Sequence, residues 1–134
     1  MRNLNIEKLL SICNEIFSNY ENFKLIKNSL TSIQQEFELK RLKQETKDKT
    51  ENSFITLEGK VNDIRVGSVW SGDQTVSKNY ISIDIGFPKI EIMFYPNTSE
   101  TELMKVNRGL NIKAQGKISS FFVNAGIFYI SIEE

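Results

Sequence analysis

Histidine is absent from the 134 residues of this chain, and cysteine occurs once, as Cys13. Imidazole general bases, Ser-His and Cys-His catalytic pairs and the usual zinc ligand sets are therefore excluded. A glycine-rich phosphate loop is also missing, and the carboxylates fall in no recognisable catalytic pattern. A single cysteine cannot form an intramolecular disulfide, which favours a reducing compartment. We therefore expect a protein that is not an enzyme and that uses no cofactor and no metal.

An excess of charge of either sign is lacking as well. Seventeen Lys and Arg residues balance seventeen Asp and Glu residues. Residues 1–52 hold nine basic and eight acidic residues, and residues 53–134 hold eight basic and nine acidic residues. A non-specific nucleic-acid binder usually has a basic excess in one region. Charged and polar residues interrupt every apolar run at the amino terminus, so neither a signal peptide nor a membrane span fits. The sequence predicts a cytoplasmic protein with no membrane partner.

Proline and glycine are also absent between Arg2 and Lys49, where apolar residues recur mostly at steps of three and four. They are Leu9, Ile12, Ile16, Phe23, Ile26, Leu30, Ile33 and Phe37, with one step of seven over Asn19. Such steps place the residues on one face of a helix and form a heptad pattern. The pattern predicts a coiled-coil-like helical segment over residues 1–48, followed by a linker over residues 49–53.

Two arrangements fit this helical segment. One is a continuous helix of about 60 Å, which the unbroken heptad phase favours. The other is a helical hairpin broken near Ser18, where Ser18 and Glu21 have the spacing of a capping box. A continuous stripe exceeds what a small domain can cover, so its eight apolar residues are candidates for a homo-oligomer interface. Asn19 is then either a polar pair that sets the register or an exposed residue at a kink.

From Phe54 onward the apolar residues recur with a period of two, which is typical of strands. We predict strands around residues 55–66, 80–85, 90–95, 110–116 and 128–132, with a loop over residues 67–77. A slip of one residue in the first strand indicates a β-bulge. Ser99 and Glu102 have the spacing of a capping box, so a short helix is expected over residues 99–107. This order predicts an α+β, mainly β fold, in which residues 54–134 form a five-stranded OB-type Greek-key barrel.

Four segments resemble the bacterial OB domains of the tRNA anticodon-binding-like family. They are GKVNDI (59–64), YISIDIG (80–86), IEIMFYP (90–96) and RGLNIKAQGKISSF (108–121). The resemblance covers residues 55–132 and rests mostly on the glycines and core aliphatic residues of the barrel. It implies the OB fold, and it favours single-stranded nucleic acid as the ligand.

OB domains that bind single strands use the outward face of their second and third strands and the loops beside it. On this chain that surface offers rings for stacking on bases and cations for phosphates: Arg65, Trp70, Lys78, Tyr80, Lys89, Met93, Tyr95, Phe121 and Phe122. Asp84 and Glu91 share the face and would repel phosphates, and the rings are also ordinary strand residues. Two functions therefore stand: a module that binds single-stranded nucleic acid, and an assembly module whose barrel binds a protein partner.

Overall fold

A computed structural model describes residues 2–134, with the backbone alone described for residues 69–71. The described residues form a helical hairpin followed by a mixed sheet. The α-helices are α1 (Ile6–Ile26), α2 (Ser32–Thr50) and α3 (Glu100–Leu103). The strands are β1 (Arg2–Leu4), β2 (Ser53–Ser71), β3 (Gln74–Asp84), β4 (Ile90–Tyr95), β5 (Asn111–Asn124) and β6 (Ile127–Glu133). The fold is thus α+β and mainly β, as the sequence predicts.

The helical segment is a hairpin, so the prediction of one continuous helix is wrong. A 3-10 turn over Lys27–Ser29 separates α1 from α2. Thr31 and Gln34 form the capping box that begins α2: the Gln34 amide donates to Thr31 Oγ1, and Gln34 Oε1 accepts from the Thr31 amide, at 3.3 and 2.9 Å. The break near Ser18 is also wrong, because α1 runs unbroken through that position.

The amino-terminal half of α1 packs on the sheet. Leu9, Cys13 and Ile16 are buried in the same core as the inward side chains of the strands. Asn5 caps this end of the helix, since its Oδ1 accepts a hydrogen bond from the Lys8 amide at 2.9 Å. Burying a side chain such as Leu9 or Ile16 contributes roughly 1.5–3 kcal/mol. This half of the predicted stripe is therefore an intrachain contact.

The second helix continues to Thr50, into residues that the sequence assigns to a linker. Its buried residues are Leu42, Thr46 and Thr50. Each threonine hydroxyl donates to the carbonyl one turn earlier, Thr46 to Leu42 and Thr50 to Thr46, at 2.9 Å. Because these bonds satisfy the buried donors, threonine can face the interior where an apolar pattern would predict leucine. An ion pair between Glu15 and Lys49 joins α2 to α1.

The sheet has the strand order β1-β2-β3-β4-β6-β5, and β2 also pairs with β5. Strands β2 to β6 thus form a closed circuit of hydrogen-bonded neighbours. The length of β2 makes this possible, since residues 54–60 pair with β5 and residues 60–71 pair with β3. β4 and β6 are parallel, and the other pairs in the circuit are antiparallel. The predicted bulge is confirmed by a register shift between Val61 and Asp63.

Two features of the strands differ from the prediction. β1 is an additional strand of three residues that lies parallel to the start of β2; so short a segment carries no recognisable alternation. The loop predicted over residues 67–77 is instead the arm of a β-hairpin, in which Ser71 pairs with Gln74. Its two-residue turn is Gly72 and Asp73, and Gly72 has a φ of 63°, which favours glycine.

The helix α3 lies between β4 and β5, as the sequence predicts. In the described part of the chain it is the only α-helix that follows α2. The Ser99 side chain caps it by accepting a hydrogen bond from the Glu102 amide at 3.3 Å. The buried side chain of Leu103 joins α3 to the core of the sheet. None of the described helices is long and apolar enough to cross a membrane.

Candidate binding face

Alternate residues of β3, β4 and β6 point into the core, so the residues between them point to the other side of the sheet. On that side, cross-strand neighbours line up in rows. We call this surface the outward face. One row crosses the strands through Arg65, Tyr80, Tyr95, Glu133 and Lys117. The next row holds Ser82, Met93, Ser131 and Ser120. A third row holds Glu91, Tyr129 and Phe122.

Tyr80 and Tyr95 form the first aromatic pair of the outward face. Their ring centroids are 5.4 Å apart, and the rings are inclined at 47°. The pair lies over the backbone of Gly67, where an added Cβ would be 2.9 Å from the Tyr95 hydroxyl and from Tyr80 Cδ1. Glycine at this position therefore makes room for the rings. Tyr95 is only 7% exposed. Its burial, with smaller effects from Tyr80 and Glu133, raises the pKa of its hydroxyl.

The two cations beside this pair already have carboxylate partners. Arg65 Nη1 lies 3.1 Å from Glu91 Oε1. Lys78 Nζ lies 3.7 Å from Glu133 Oε1 and 5.4 Å from the centroid of the Tyr95 ring. Both ion pairs are partly exposed, so each contributes at most about 1 kcal/mol. A ligand phosphate at either cation would compete with a carboxylate of the chain itself.

Asp63, at the bulge of β2, is a second carboxylate that interacts with Arg65. Its Oδ1 accepts hydrogen bonds from the Ile64 amide at 2.9 Å and from Arg108 at 3.2 Å. Its Oδ2 accepts a longer hydrogen bond from Arg65 Nε at 3.4 Å. The Arg108 guanidinium, together with the Ile64 amide, lowers the pKa of the Asp63 carboxyl. Asp63 therefore stays ionised and acidic groups flank Arg65 on two sides.

Phe122 and Tyr129 form a second aromatic pair. Their rings are stacked, with centroids 5.1 Å apart and an angle of 17° between the planes. Phe122 is 48% exposed, and Tyr129 is half-buried. Four residues along β4 separate the rows of the two pairs, which corresponds to about 13 Å. The sequence prediction omitted Tyr129, although the buried Phe128 and Ile130 on either side indicate an outward position.

Comparisons with known proteins leave the family open: no family model and no curated protein matches the chain. Among solved structures, the solution NMR structure of the OB domain of Ta0387 from Thermoplasma acidophilum is similar, with 13% sequence identity and a TM-score of 0.38. The match covers 60% of this chain and 68% of that chain. The finer resemblance to the tRNA anticodon-binding-like family is not confirmed. The fold therefore rests on the strand pairings described above.

Phe121 does not lie on the outward face with the other predicted residues. Its ring packs against the core, with its centroid 5.8 Å from that of Phe128. A register shift between Ile118 and Ser120 moves the alternation of β5 by one residue. Of the two adjacent phenylalanines, Phe122 consequently points outward. The shift occurs in a run of polar and aromatic residues whose sequence does not indicate a bulge.

Lys89 is likewise placed elsewhere. It lies in the turn before β4, with its Nζ 5.4 Å from the ring centroid of Phe17 in α1. The side chain of Trp70 lies outside the described part of the structure. The predicted residues that the structure brings together are Arg65, Lys78, Tyr80, Met93, Tyr95 and Phe122.

The reactive groups of the chain are few. Within the described residues, no three His, Cys, Asp or Glu side chains are grouped so that they could hold a metal ion. Burial raises the pKa of the Cys13 thiol to about 12, so the thiol is protonated and a poor nucleophile at neutral pH. The outward face offers stacking surfaces, hydroxyl groups and balanced charges. These are groups suited to binding.

The residues of the predicted oligomer interface divide between two environments. Buried or half-buried in the chain are Leu9, Ile12, Ile16, Phe23 and Leu30. Exposed are Ile26, Ile33 and Phe37, together with Leu25, which is 83% exposed. These four exposed side chains lie around the connection between α1 and α2, and we call them the apolar tip. A single interface along the whole stripe is therefore wrong.

Proposed function

We propose that strands β2 to β6 form a five-stranded Greek-key barrel of the OB type. The closed circuit of pairings, the parallel β4–β6 pair and the position of α3 support this proposal. In such a barrel the outward face of β3 and β4 corresponds to the surface that binds extended ligands. The hairpins β2–β3 and β5–β6 then correspond to the two loops that border this surface.

We infer that the chain is a non-enzymatic module that binds single-stranded nucleic acid on the outward face. The observation that carries this inference is the presence of two aromatic pairs on one face, Tyr80 with Tyr95 and Phe122 with Tyr129. Of these four rings, those of Tyr80, Phe122 and Tyr129 are at least partly exposed, whereas that of Tyr95 is buried. Every base has a π-face, so the three exposed rings could stack on single strands with little sequence preference. A strand that crosses from one pair to the other would pass over Met93.

The charge balance of the outward face determines how the ligand would be bound there. Arg65 and Lys78 have carboxylate partners, so few phosphate contacts are available without displacing them. Stacking should therefore supply most of the affinity of this face. The part of the salt dependence that arises here should be small, because that dependence follows the number of phosphates neutralised.

Fluorescence anisotropy with a labelled oligothymidine of about 12 nucleotides, within the site sizes of OB folds, tests this function. Replacing Tyr80, Phe122 or Tyr129 singly with alanine should weaken binding by about 1–3 kcal/mol each, since each change removes a stacking surface. Phe17→Ala is the matched control. Phe17 is also exposed, but it lies on α1, where it lines the cleft between that helix and the turn before β4. The function is wrong if the strand does not bind, or if the ring variants bind as well as the control.

Binding of a protein partner is the second candidate function, and the balanced charges of the outward face favour it. An extended peptide could use the same rings and hydroxyls without requiring positive charge. The oligonucleotide titration at low salt separates the two candidates, because electrostatic attraction to phosphates is strongest there. If no strand binds under those conditions, the outward face is the first surface on which to search for a protein partner.

We also propose that copies of the chain associate through the apolar tip rather than through the whole stripe. Isolated exposed apolar residues are common on protein surfaces, but contiguous groups of them mark interaction sites. Ile33 and Phe37 are each 66% exposed and lie one turn apart on α2. The proposed interface is therefore confined to the end of the hairpin.

A further inference from the structure

A cleft of about 440 Å³ opens between α2 and the β5–β6 part of the sheet. Three lysines line it: Lys43 and Lys47 from α2, and Lys117 from β5. Lys43 and Lys47 are four residues apart and so project from the same side of the helix. Two carboxylates, Glu51 and Glu133, also line the space, so positive charge prevails by one. We call this space the cationic cleft.

The lysines of the cleft, including Lys117 at the end of the first row, differ from Arg65 and Lys78 in their partners. Within the described residues, no ion pair engages Lys43, Lys47 or Lys117. Glu133, one of the two carboxylates of the cleft, instead pairs with Lys78 at 3.7 Å. The cleft therefore offers three lysines without ion-pair partners beside a face whose rings could stack on bases.

The cleft and the outward face are continuous through Glu133. This residue is the cross-strand neighbour of Tyr95 on β4 and of Lys117 on β5. Two strand spacings therefore separate the Tyr95 and Lys117 positions, which amounts to about 10 Å. On the same strands, Ser120 and Phe122 extend the outward face from β5 towards the second aromatic pair. A single extended ligand can thus contact rings and lysines at the same time.

The helical wall of the cleft is held in place by contacts on its other sides. Leu42, Thr46 and Thr50 are the buried residues of α2, and the Glu15–Lys49 ion pair joins the helix to α1. Lys43 and Lys47 are therefore presented by an ordered helix rather than by a loop. A wall that is already ordered before binding reduces the entropic cost of binding.

We infer that the cationic cleft binds phosphates of the same single strand whose bases stack on the outward face, which assigns a phosphodiester backbone as its ligand. This inference rests on the proposed function. It gives the helical hairpin a role in ligand binding, since α2 supplies two of the three cations. It also gives a chain with no net charge a local site for phosphates, because the lining of the cleft carries one more positive than negative charge.

The test measures affinity as a function of salt for wild type, K43Q, K47Q, the K43Q/K47Q double variant and K117Q. Each neutralised lysine should lower the slope of log affinity against log salt by about 0.7, the value for one phosphate of a single strand. At 0.1 M salt this corresponds to roughly fivefold weaker binding for each lysine. K8Q is the control, because Lys8 is an exposed lysine of α1 that lies outside the cleft and, within the described residues, has no ion pair.

Two probes keep the outcomes apart: the labelled oligothymidine and an abasic strand of the same length. Lower slopes for the cleft variants on both probes, with Y80A weakening only the oligothymidine, support the inference. Ring-dependent binding of oligothymidine with unchanged slopes in the cleft variants overturns the inference and leaves the proposed function standing. Lysine-dependent binding of both probes without a ring effect overturns the proposed function and leaves phosphate binding in the cleft. Failure of both probes to bind overturns both.

Discussion

The two ends of the helical hairpin share one sequence pattern and have opposite environments. At the end near the sheet, Leu9, Cys13 and Ile16 are buried in the core. At the other end, Ile33 and Phe37 continue the same spacing and are exposed. The difference shows that a heptad pattern specifies which face of a helix is apolar, but not which surface covers that face. Here one half of the stripe is covered by the chain itself, and the apolar tip is not.

The largest effect should come from truncating a side chain at the buried end. Ile16→Ala should lower the free energy of unfolding by about 2–5 kcal/mol, because it opens a cavity between α1 and the sheet. Ile33→Ala is the matched control: the same atoms are removed from the exposed end, where a change within about 0.5 kcal/mol is expected. Urea unfolding of the two variants, followed by circular dichroism, measures the difference. Equal losses would mean that the exposed end is covered in solution or that α1 is not docked.

Alkaline pH sharpens the comparison through Cys13, an ionisable residue that is buried in the core with Leu9 and Ile16. Burial raises the pKa of Cys13 from about 9 to about 12 in the folded chain. The folded state therefore favours the protonated thiol, and the resulting stability is fully present below about pH 9. It should be lost as the pH rises from 9 towards 12, because the unfolded state then releases the proton and the folded state does not.

Comparison of the wild type with Cys13→Ala isolates this effect from the lysines and tyrosines that titrate in the same range. The free energy of unfolding should fall more steeply with pH above about 9 in the wild type than in the variant. Alkylation of the wild-type thiol at about pH 8 should also be much slower in the folded than in the unfolded chain. A thiol that reacts equally fast in both states would show that α1 does not bury Cys13.

A smaller effect is expected at the boundary between the two ends. Thr31 caps α2 through the capping box with Gln34. Thr31→Ala should cost about 1 kcal/mol of stability, within a range of about 0.5–2, because the Gln34 amide loses its acceptor. Ser32→Ala is the control, since Ser32 is the neighbouring hydroxyl and is exposed. If both variants lose the same stability, the cap does not define the start of α2.

Much of the sheet could be predicted from the sequence because its signals are local. The alternation of Ile81, Ile83 and Ile92 with polar residues reflects a core on one side of each strand. The slip at residues 61–63 and the Ser99 cap are similarly readable from neighbouring residues. The break in the helical segment was not predicted at its observed place, although Thr31 and Gln34 have the spacing of a capping box. The heptad phase passes through these residues, so the apolar pattern alone favours a continuous helix.

The parts that could not be predicted depend on contacts between distant residues. The bulge that turns Phe121 inward is set by the pairing of β5 with β6. The burial of Thr46 and Thr50 depends on hydroxyl bonds to carbonyls one turn earlier, which an apolar pattern does not register. The cationic cleft brings Lys43 and Lys117 together from segments that are far apart in sequence. Nothing in the residues around either lysine indicates that they meet.

Replacing residues of the apolar tip should change the stability of the chain least, but it should change the mass of the protein in solution. Replacing Ile33 and Phe37 with serine should alter the free energy of unfolding of the chain by no more than about 0.5 kcal/mol each, because both side chains are exposed. If the tip joins two copies, each such side chain buried at the interface is worth roughly 1.5–3 kcal/mol. The double variant removes four of them from a dimer, so light scattering should show the wild-type mass falling to that of one chain.

Met104→Ser is the control, because Met104 is 85% exposed and follows α3, away from the hairpin. A wild type that already has the mass of one chain at all concentrations would contradict association through the tip. The exposed end of the stripe would then differ from the buried end only because no other part of the protein packs on it.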